Sequence, residues 1–325
     1  MRDKKKLYQI IGFPLIVFLL LFSFSYLVDF GVRRSQDEGF KKVNNICTGR
    51  VDPDIIAFGS SVGEVSFNSN LVSAGTGLDV YNSCIDGTNF EQCKSLIEEY
   101  NLYSSKKSLV LLFEAYFSMV KLPGISSIER FAAYLNDPVI YDVLYNIDPK
   151  IVWKSRYIPL YKNTVVDHTY YKASFDGWRS YLLKSSQRDS LHGFLPHYVT
   201  WQADQDALLD AMKPFKIVVD KTVLADYIEL VRGLRQKGKR VIIVLPPLYE
   251  RLYKEKTDFG PLEAALDSVS KLTGCGLIDF IKSPLSAHKD YFYNTNHLNY
   301  SGAAVFSSLL VDSLKRMVNK PYTFI

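Results

Sequence analysis

The chain has 325 residues and a formal net charge of +5. Hydrophobic residues make up 47% and aromatic residues 14%, which excludes intrinsic disorder and is enough for one large or two modest folded domains. Arg2, Lys4, Lys5 and Lys6 less Asp3 supply +3 of the charge, so +2 is spread over the rest, and no basic block is left to suggest a nucleic-acid partner.

The first feature along the chain is an apolar run. Leu7 to Val28 carries no charge and is mostly Leu, Ile, Phe and Val. As a helix it is about 33 Å long, enough to cross a bilayer, and Pro14 is tolerable in a membrane helix. The basic residues before it predict a cytoplasmic N-terminus; Arg33 and Arg34 on the far side weaken that bias without reversing it. Ser25-Tyr26-Leu27-Val28-Asp29 offers no small-residue cleavage site, so the run reads as an uncleaved anchor. The expected organisation is a cytoplasmic tail at 1–6, a transmembrane anchor at 7–28, a polar linker at 29–50 and a folded domain at 51–325. The expected location is an inner membrane, crossed once, with the C-terminal domain on the periplasmic side.

Asp54 to Phe58 is a short apolar run between Pro53 and Gly59 and predicts a buried strand. Leu78 to Asn82 and Ser108 to Phe113 predict two more, with a helical pattern over Phe90 to Tyr103 between them. From about 115 to 215 the chain is rich in Tyr, Trp and Phe without a long regular period. This stretch reads as an insertion of helices and loops covering one side of the core. Its aromatics suit either ordinary packing or a sugar-stacking groove. Regular alternation then returns: a helix over Lys221 to Gln236, a strand over Arg240 to Leu245, a helix over Pro261 to Leu272, a strand over Gly276 to Phe280 and a helix over Ser301 to Val318. Short strands apolar on both faces, alternating with helices, predict an α/β fold with a mostly parallel sheet covered by helices.

Cys47, Cys84, Cys93 and Cys275 form no C-x-x-C pair, so zinc and redox motifs are not expected. Cys84 and Cys93 read either as a disulfide in an oxidising compartment or as free buried thiols. His168, His192, His197 and His288 are scattered and lack metal-ligand spacing, so neither a metal nor another cofactor is expected.

Ligands of open parallel α/β sheets sit beyond the carboxyl ends of the strands. Gly59-Ser60-Ser61 lies there, directly after the first strand, and His297 lies on a loop just before the last helix. A serine hydroxyl needs a base to take its proton, and His297 is the candidate. Taken alone, Gly-Ser-Ser is a turn, and a lone histidine is more often a surface or capping residue. Ser301 or Asn299 could cap the last helix. The weight rests on the joint pattern.

That pattern resembles the SGNH/GDSL superfamily of esterases and acyltransferases, whose fold is a three-layer, flavodoxin-like α/β domain. Gly59-Ser60-Ser61 stands where the family has its Gly-Asp-Ser-like block. Tyr81-Asn82-Ser83-Cys84-Ile85-Asp86-Gly87-Thr88-Asn89 stands where the second block supplies a glycine. Asn294-Thr295-Asn296-His297-Leu298-Asn299, with Gly302 following, stands where the family has Asp-x-x-His. The resemblance covers roughly 52–114 and 238–319. It implies Ser61 as nucleophile, His297 as base, Asn294 in the place of the acid, and Ser61 and Gly87 as oxyanion donors. The chain departs from the pattern twice. Asn294 replaces the aspartate, and in a Ser–His–Asp triad that exchange costs about 10⁴ in rate through the wrong histidine tautomer. Phe113-Glu114-Ala115-Tyr116 replaces the third block, so its side-chain amide is missing, and Asn89 is the candidate to stand in. Glu114 reads most simply as a solvated carboxylate.

The resemblance implies a membrane-anchored O-acyltransferase or esterase acting on acyl groups, acetyl above all, of a cell-envelope polysaccharide. Implied partners are the bilayer, an envelope glycan or acylated sugar, and a membrane-bound O-acyltransferase. A non-catalytic binding or scaffold subunit of an envelope polysaccharide machinery is the alternative that Asn294 favours. A lipase or thioesterase working near the membrane is a third.

Overall fold

The computed structural model describes residues 2–185 and 189–318. Met1 and 319–325 lie outside it, as do the side chains of the first eleven residues, the basic cluster included. In chain order the elements begin with α1 (Arg2–Val32), α2 (Glu38–Cys47), β1 (Ile55–Gly59), α3 (Ser61–Ser66), α4 (Ser69–Thr76), β2 (Val80–Asn82), α5 (Phe90–Tyr103) and β3 (Leu109–Phe113). They continue with α6 (Glu129–Ala132), α7 (Pro138–Ile147), α8 (Pro149–Tyr157), α9 (His168–Leu182), α10 (Ala203–Ala211), β4 (Phe215–Lys216), α11 (Lys221–Gln236) and β5 (Arg240–Leu245). β6 (Thr257–Asp258), α12 (Gly260–Thr273), β7 (Gly276–Asp279) and α13 (Tyr300–Val318) complete the order. The chain divides into two compact units, Met1–Thr48 with Pro123–Arg188, and Gly49–Leu122 with Asp189–Ile325.

The second unit is built on a five-stranded sheet in the order β2-β1-β3-β5-β7, parallel throughout. β4 and β6 pair separately. Every residue of β3 is buried, as a strand covered on both faces requires. Helices supply the cover by apolar stripes: α11 buries Val223, Tyr227, Leu230, Val231 and Leu234, spaced at three and four residues. Asp220 starts that helix by accepting from the N–H groups of Thr222 and Val223. The expected α/β fold with a parallel sheet is therefore the observed one, and the strand and helix bounds agree to within about two residues.

The strand order also fixes where a ligand can sit. The chain leaves β1 for β2 on one side and returns past it to β3 on the other. This makes the carboxyl ends of β1 and β3 the topological switch point. Gly59 and Phe113 are register partners at those two ends. A Cβ on Gly59 would lie 2.3 Å from the Phe113 carbonyl oxygen, so only glycine lets the chain turn there.

In the first unit α1 runs for 31 residues. Gly12–Val32 is long and apolar enough to cross a bilayer or to serve as an export signal. Its C-terminal end packs on α9, and the crossing is close enough to exclude side chains. A Cβ on Gly177 would meet the Gly31 carbonyl oxygen at 1.8 Å. Asp29 is buried there, paired with Lys162 Nζ and accepting from the Tyr170 hydroxyl.

Residues 29–50 depart from the expected linker, because they hold the end of α1 and all of α2. Asp37 caps α2 by accepting from the Gly39 N–H, and Phe40, Val43 and Ile46 are buried. Asn44 donates to the carbonyls of Val32 (2.8 Å) and Ser35 (3.1 Å) and accepts from the Tyr134 hydroxyl (2.8 Å). Interleaved Lys41, Lys42, Asn44 and Asn45 make the apolar stripe read as polar in sequence. The stretch expected as one insertion at 115–215 is shared: 123–188 joins the N-terminal residues, and 189–215 belongs to the sheet unit.

Candidate active site

Ser61 is the first residue of α3, one step beyond the strand-end turn, and is buried. Its helix is clamped from β2. The Asn82 amide donates to the carbonyls of Gly63, Glu64 and Phe67 at the end of α3, and its oxygen accepts from the Cys84 N–H. Two of these carbonyls also accept backbone donors, Gly63 from the Phe67 N–H and Glu64 from the Leu195 N–H, while the Phe67 carbonyl relies on the Asn82 amide. The loop after β2, which carries Gly87, is tied to the same region. The Ile85 N–H donates to the Gly59 carbonyl (2.9 Å), and the Asp86 N–H donates to Glu64 Oε2 (3.1 Å).

His297 is held by a tight loop. An antiparallel bridge joins Phe292 to Leu298, and the Tyr293 N–H donates to the His297 carbonyl. Asn299 closes the loop, donating to the Asp290 carbonyl and accepting from the Gly302 N–H at the start of α13. Of the two capping candidates, Asn299 takes the role.

The three residues meet in a line. His297 Nε2 lies 2.7 Å from Ser61 Oγ, and His297 Nδ1 lies 2.9 Å from Asn294 Oδ1. The direction of the Asn294 amide follows from its other partners. Its Oδ1 also accepts from the backbone N–H groups of Asn296 (3.1 Å) and His297 (2.9 Å). Two fixed donors require an oxygen there, so the amide cannot turn its NH₂ towards the ring. The imidazole therefore carries its proton on Nδ1, and Nε2 is free to accept the Ser61 hydroxyl proton. The wrong-tautomer cost expected for an asparagine does not arise in this geometry; only the negative charge is missing.

Tyr293 is not among the candidates drawn from the sequence, and His197 figures there only as one of four scattered histidines. The Tyr293 ring stacks on His297 at 5.3 Å and 7° and on His197 at 4.5 Å and 15°. Tyr293 adjoins Asn294 in sequence, but nothing local marks His197. Burial raises the Tyr293 phenol, so it stays neutral. Burial pushes the His297 imidazole down to about 4; Asp86 opposes this and His197 adds to it. The base is thus unprotonated over the whole neutral range. Acylation of Ser61 is expected to hold a plateau from pH 8 to about pH 5 and to fall with a midpoint near pH 4, read from the rate of ester-driven acylation. A limb at the ordinary histidine value near 6.5 would show that burial does not govern this ring. For stability the sign is the same. Unfolded His297 takes up a proton near 6.5 and the folded one near 4, so its contribution is present above 6.5 and lost as pH falls through about 4.

Two residues have structural roles that the sequence-based expectations did not include. Asn89 caps α5, accepting from the Gln92 N–H (3.2 Å) and donating to the Val120 carbonyl (2.9 Å). Its oxygen and one of its two N–H donors are thus engaged in holding α5 and the loop at Val120. Glu114 is not solvated: it is buried, accepts from the Tyr227 hydroxyl at 2.8 Å, and burial raises its carboxyl. It makes no bond to His297. At the start of α3, Ser60 makes no side-chain capping bond, and its hydroxyl is buried without a partner. The first N–H groups of α3, that of Ser61 among them, are left without a side-chain acceptor. All four cysteines are free thiols, and burial pushes Cys93 up to about 12, which makes it inert.

A parallel α/β sheet with a serine, a neutral imidazole and an amide in one hydrogen-bonded line at its switch point is the layout of a site able to accept and pass on an acyl group. No protein-family model matches the chain, and no curated protein matches its sequence. Among solved structures it aligns with a Streptococcus pneumonia protein provisionally described as a platelet activating factor, at 10% identity and a TM-score of 0.44, over 87% of this chain and 94% of that one. It also aligns with a Bacteroides fragilis protein provisionally described as an acylhydrolase, at 10% identity and a TM-score of 0.41, over 85% of this chain and 96% of that one.

Proposed function

We propose that this chain is a membrane-anchored serine esterase or O-acyltransferase acting on acyl groups, acetyl above all, of a cell-envelope polysaccharide. The observation that carries the reading is the 2.7 Å contact between Ser61 Oγ and His297 Nε2, with Nδ1 backed by Asn294. In the first half-reaction Ser61 Oγ attacks the acyl carbonyl while its proton passes to His297 Nε2. The resulting oxyanion is met by the N–H groups of Ser61 and Gly87. Collapse forms acyl-Ser61, and the proton on Nε2 goes to the departing alcohol. In the second half a sugar hydroxyl or water gives its proton to Nε2 and attacks the acyl-serine, which frees Ser61.

The apolar Gly12–Val32 segment supports an anchor that holds the sheet unit on the periplasmic side of an inner membrane. A membrane-bound O-acyltransferase is the partner proposed to supply the acyl group. A non-catalytic glycan-binding subunit is the second reading, and Asn294 favours it: an amide leaves the imidazolium without the counter-charge that an aspartate supplies.

The test is intact mass of the full chain in detergent after treatment with p-nitrophenyl acetate. A single acetyl adduct is expected, and Ser61→Ala should abolish it. A folded wild-type chain that takes no adduct would transfer the assignment to the binding subunit.

A further inference from the structure

The first unit holds a polar cavity of about 80 Å³ beside the C-terminal end of α1, lined among others by Tyr26, Asp29, Asn136, Ser155, Arg156 and Lys162. Ser155 is 3% exposed, and its hydroxyl has no hydrogen-bond partner. A buried hydroxyl in that state is costly unless something enters to satisfy it. The Arg156 guanidinium lies 4.3 Å over the Tyr141 ring, and its N–H groups make no hydrogen bond among the described residues. Lys162 is paired with Asp29. Two cations and one carboxylate leave the cavity at +1, with hydroxyl, guanidinium and amide donors around it. That set suits one phosphate diester.

The surroundings fit a lipid. Phe22 and Tyr26 belong both to this cavity and to an open apolar groove that Ser23 and Leu27 complete. Just beyond, Trp178 packs tilted against Phe30 at 4.5 Å and Arg34 lies 3.5 Å over Phe30. Aromatic and basic residues at the end of an apolar helix mark headgroup depth. On α9, Phe175 and Leu182 are largely exposed, as suits a helix lying in that layer. We propose that the cavity binds the phosphate of an anionic diacyl phospholipid, with an acyl chain along the Phe22–Leu27 groove. The proposal rests on the reading of α1 as a membrane span.

The test is native mass spectrometry of the full chain released from detergent micelles, titrated separately with dioleoyl phosphatidylglycerol, dioleoylglycerol and inorganic phosphate. One phosphatidylglycerol per chain is expected, with no retention of dioleoylglycerol. Arg156→Gln should weaken binding about tenfold through loss of a charge-assisted contact. Ser155→Leu, which fills the cavity without removing a charge, should exclude the lipid while the thermal midpoint holds. It decides the matter if Arg156→Gln misfolds. Equal retention by both variants, or of dioleoylglycerol, would overturn the site. Millimolar phosphate binding as strongly as the lipid would overturn the lipid as its occupant. A chain that stays in solution without detergent defeats the membrane reading itself, and the acetyl adduct on Ser61 reports on catalysis independently.

Discussion

Asn294→Asp is expected to raise the His297 pKa by about 1–3 units, as an opposite charge in contact does. It should also speed acylation of Ser61 by about tenfold or more, since one pKa unit corresponds to about 1.4 kcal/mol of imidazolium stabilisation. The new carboxylate inherits the position of Asn294 Oδ1, where two backbone N–H groups and His297 Nδ1 already converge. No rearrangement is needed to place it. The tautomer is unchanged, because both residues present an oxygen to Nδ1; what changes is the charge beside the ring as it takes the Ser61 proton. Stopped-flow acylation by p-nitrophenyl acetate across pH 3.5–8 reads both effects. The acid limb should move up from near pH 4 as the plateau rises. An unmoved limb and an unmoved plateau would show that position 294 does not act on His297 electrostatically.

Asn82→Ala is expected to destabilise the chain by about 3–5 kcal/mol, well above the typical cost of a point substitution. Asn82 is fully buried, and its amide joins the end of α3 to the loop after β2 through four hydrogen bonds. Alanine would strand the Phe67 carbonyl and the Cys84 N–H in a buried place and strip one of two donors from the Gly63 and Glu64 carbonyls. Urea unfolding followed by circular dichroism measures the loss. Ser61 rides on α3, so the acetyl adduct should form more slowly even where the variant folds. A loss under about 1 kcal/mol would mean that other groups take over these bonds.

Most of the strands were legible as short apolar runs, with Gly or Pro bounding Asp54–Phe58 and Arg240–Leu245 and only charged residues bounding Ser108–Phe113. The serine and the histidine were legible because they follow a strand and precede a helix at opposite ends of the sheet unit. What escaped depends on contacts between residues far apart in sequence. Asn82 looks like any polar residue at a strand end until α3 lies across it. Glu114 looks solvated until Tyr227, 113 positions later, covers it. His197 meets Tyr293 across 96 positions. Helix α2 hides its buried face among lysines and asparagines. Asn89 is different, since its true role was available: Asn89-Phe90-Glu91-Gln92 is a helix-start signature, an asparagine followed three residues later by a glutamine. The oxyanion role implied by the resemblance competed with that local rule, and the local rule describes the side chain.

The stacked rings of His197, Tyr293 and His297 have a magnetic consequence as well as a chemical one. Protons held over the face of an aromatic ring are shielded by its circulating electrons. Both imidazoles lie nearly parallel to the same phenol. Their carbon-bound protons are therefore expected to resonate away from those of an isolated histidine. The chain has only five histidines, so these two stand apart from the other three in a spectrum, and the protonation state of His297 is open to observation with no probe attached.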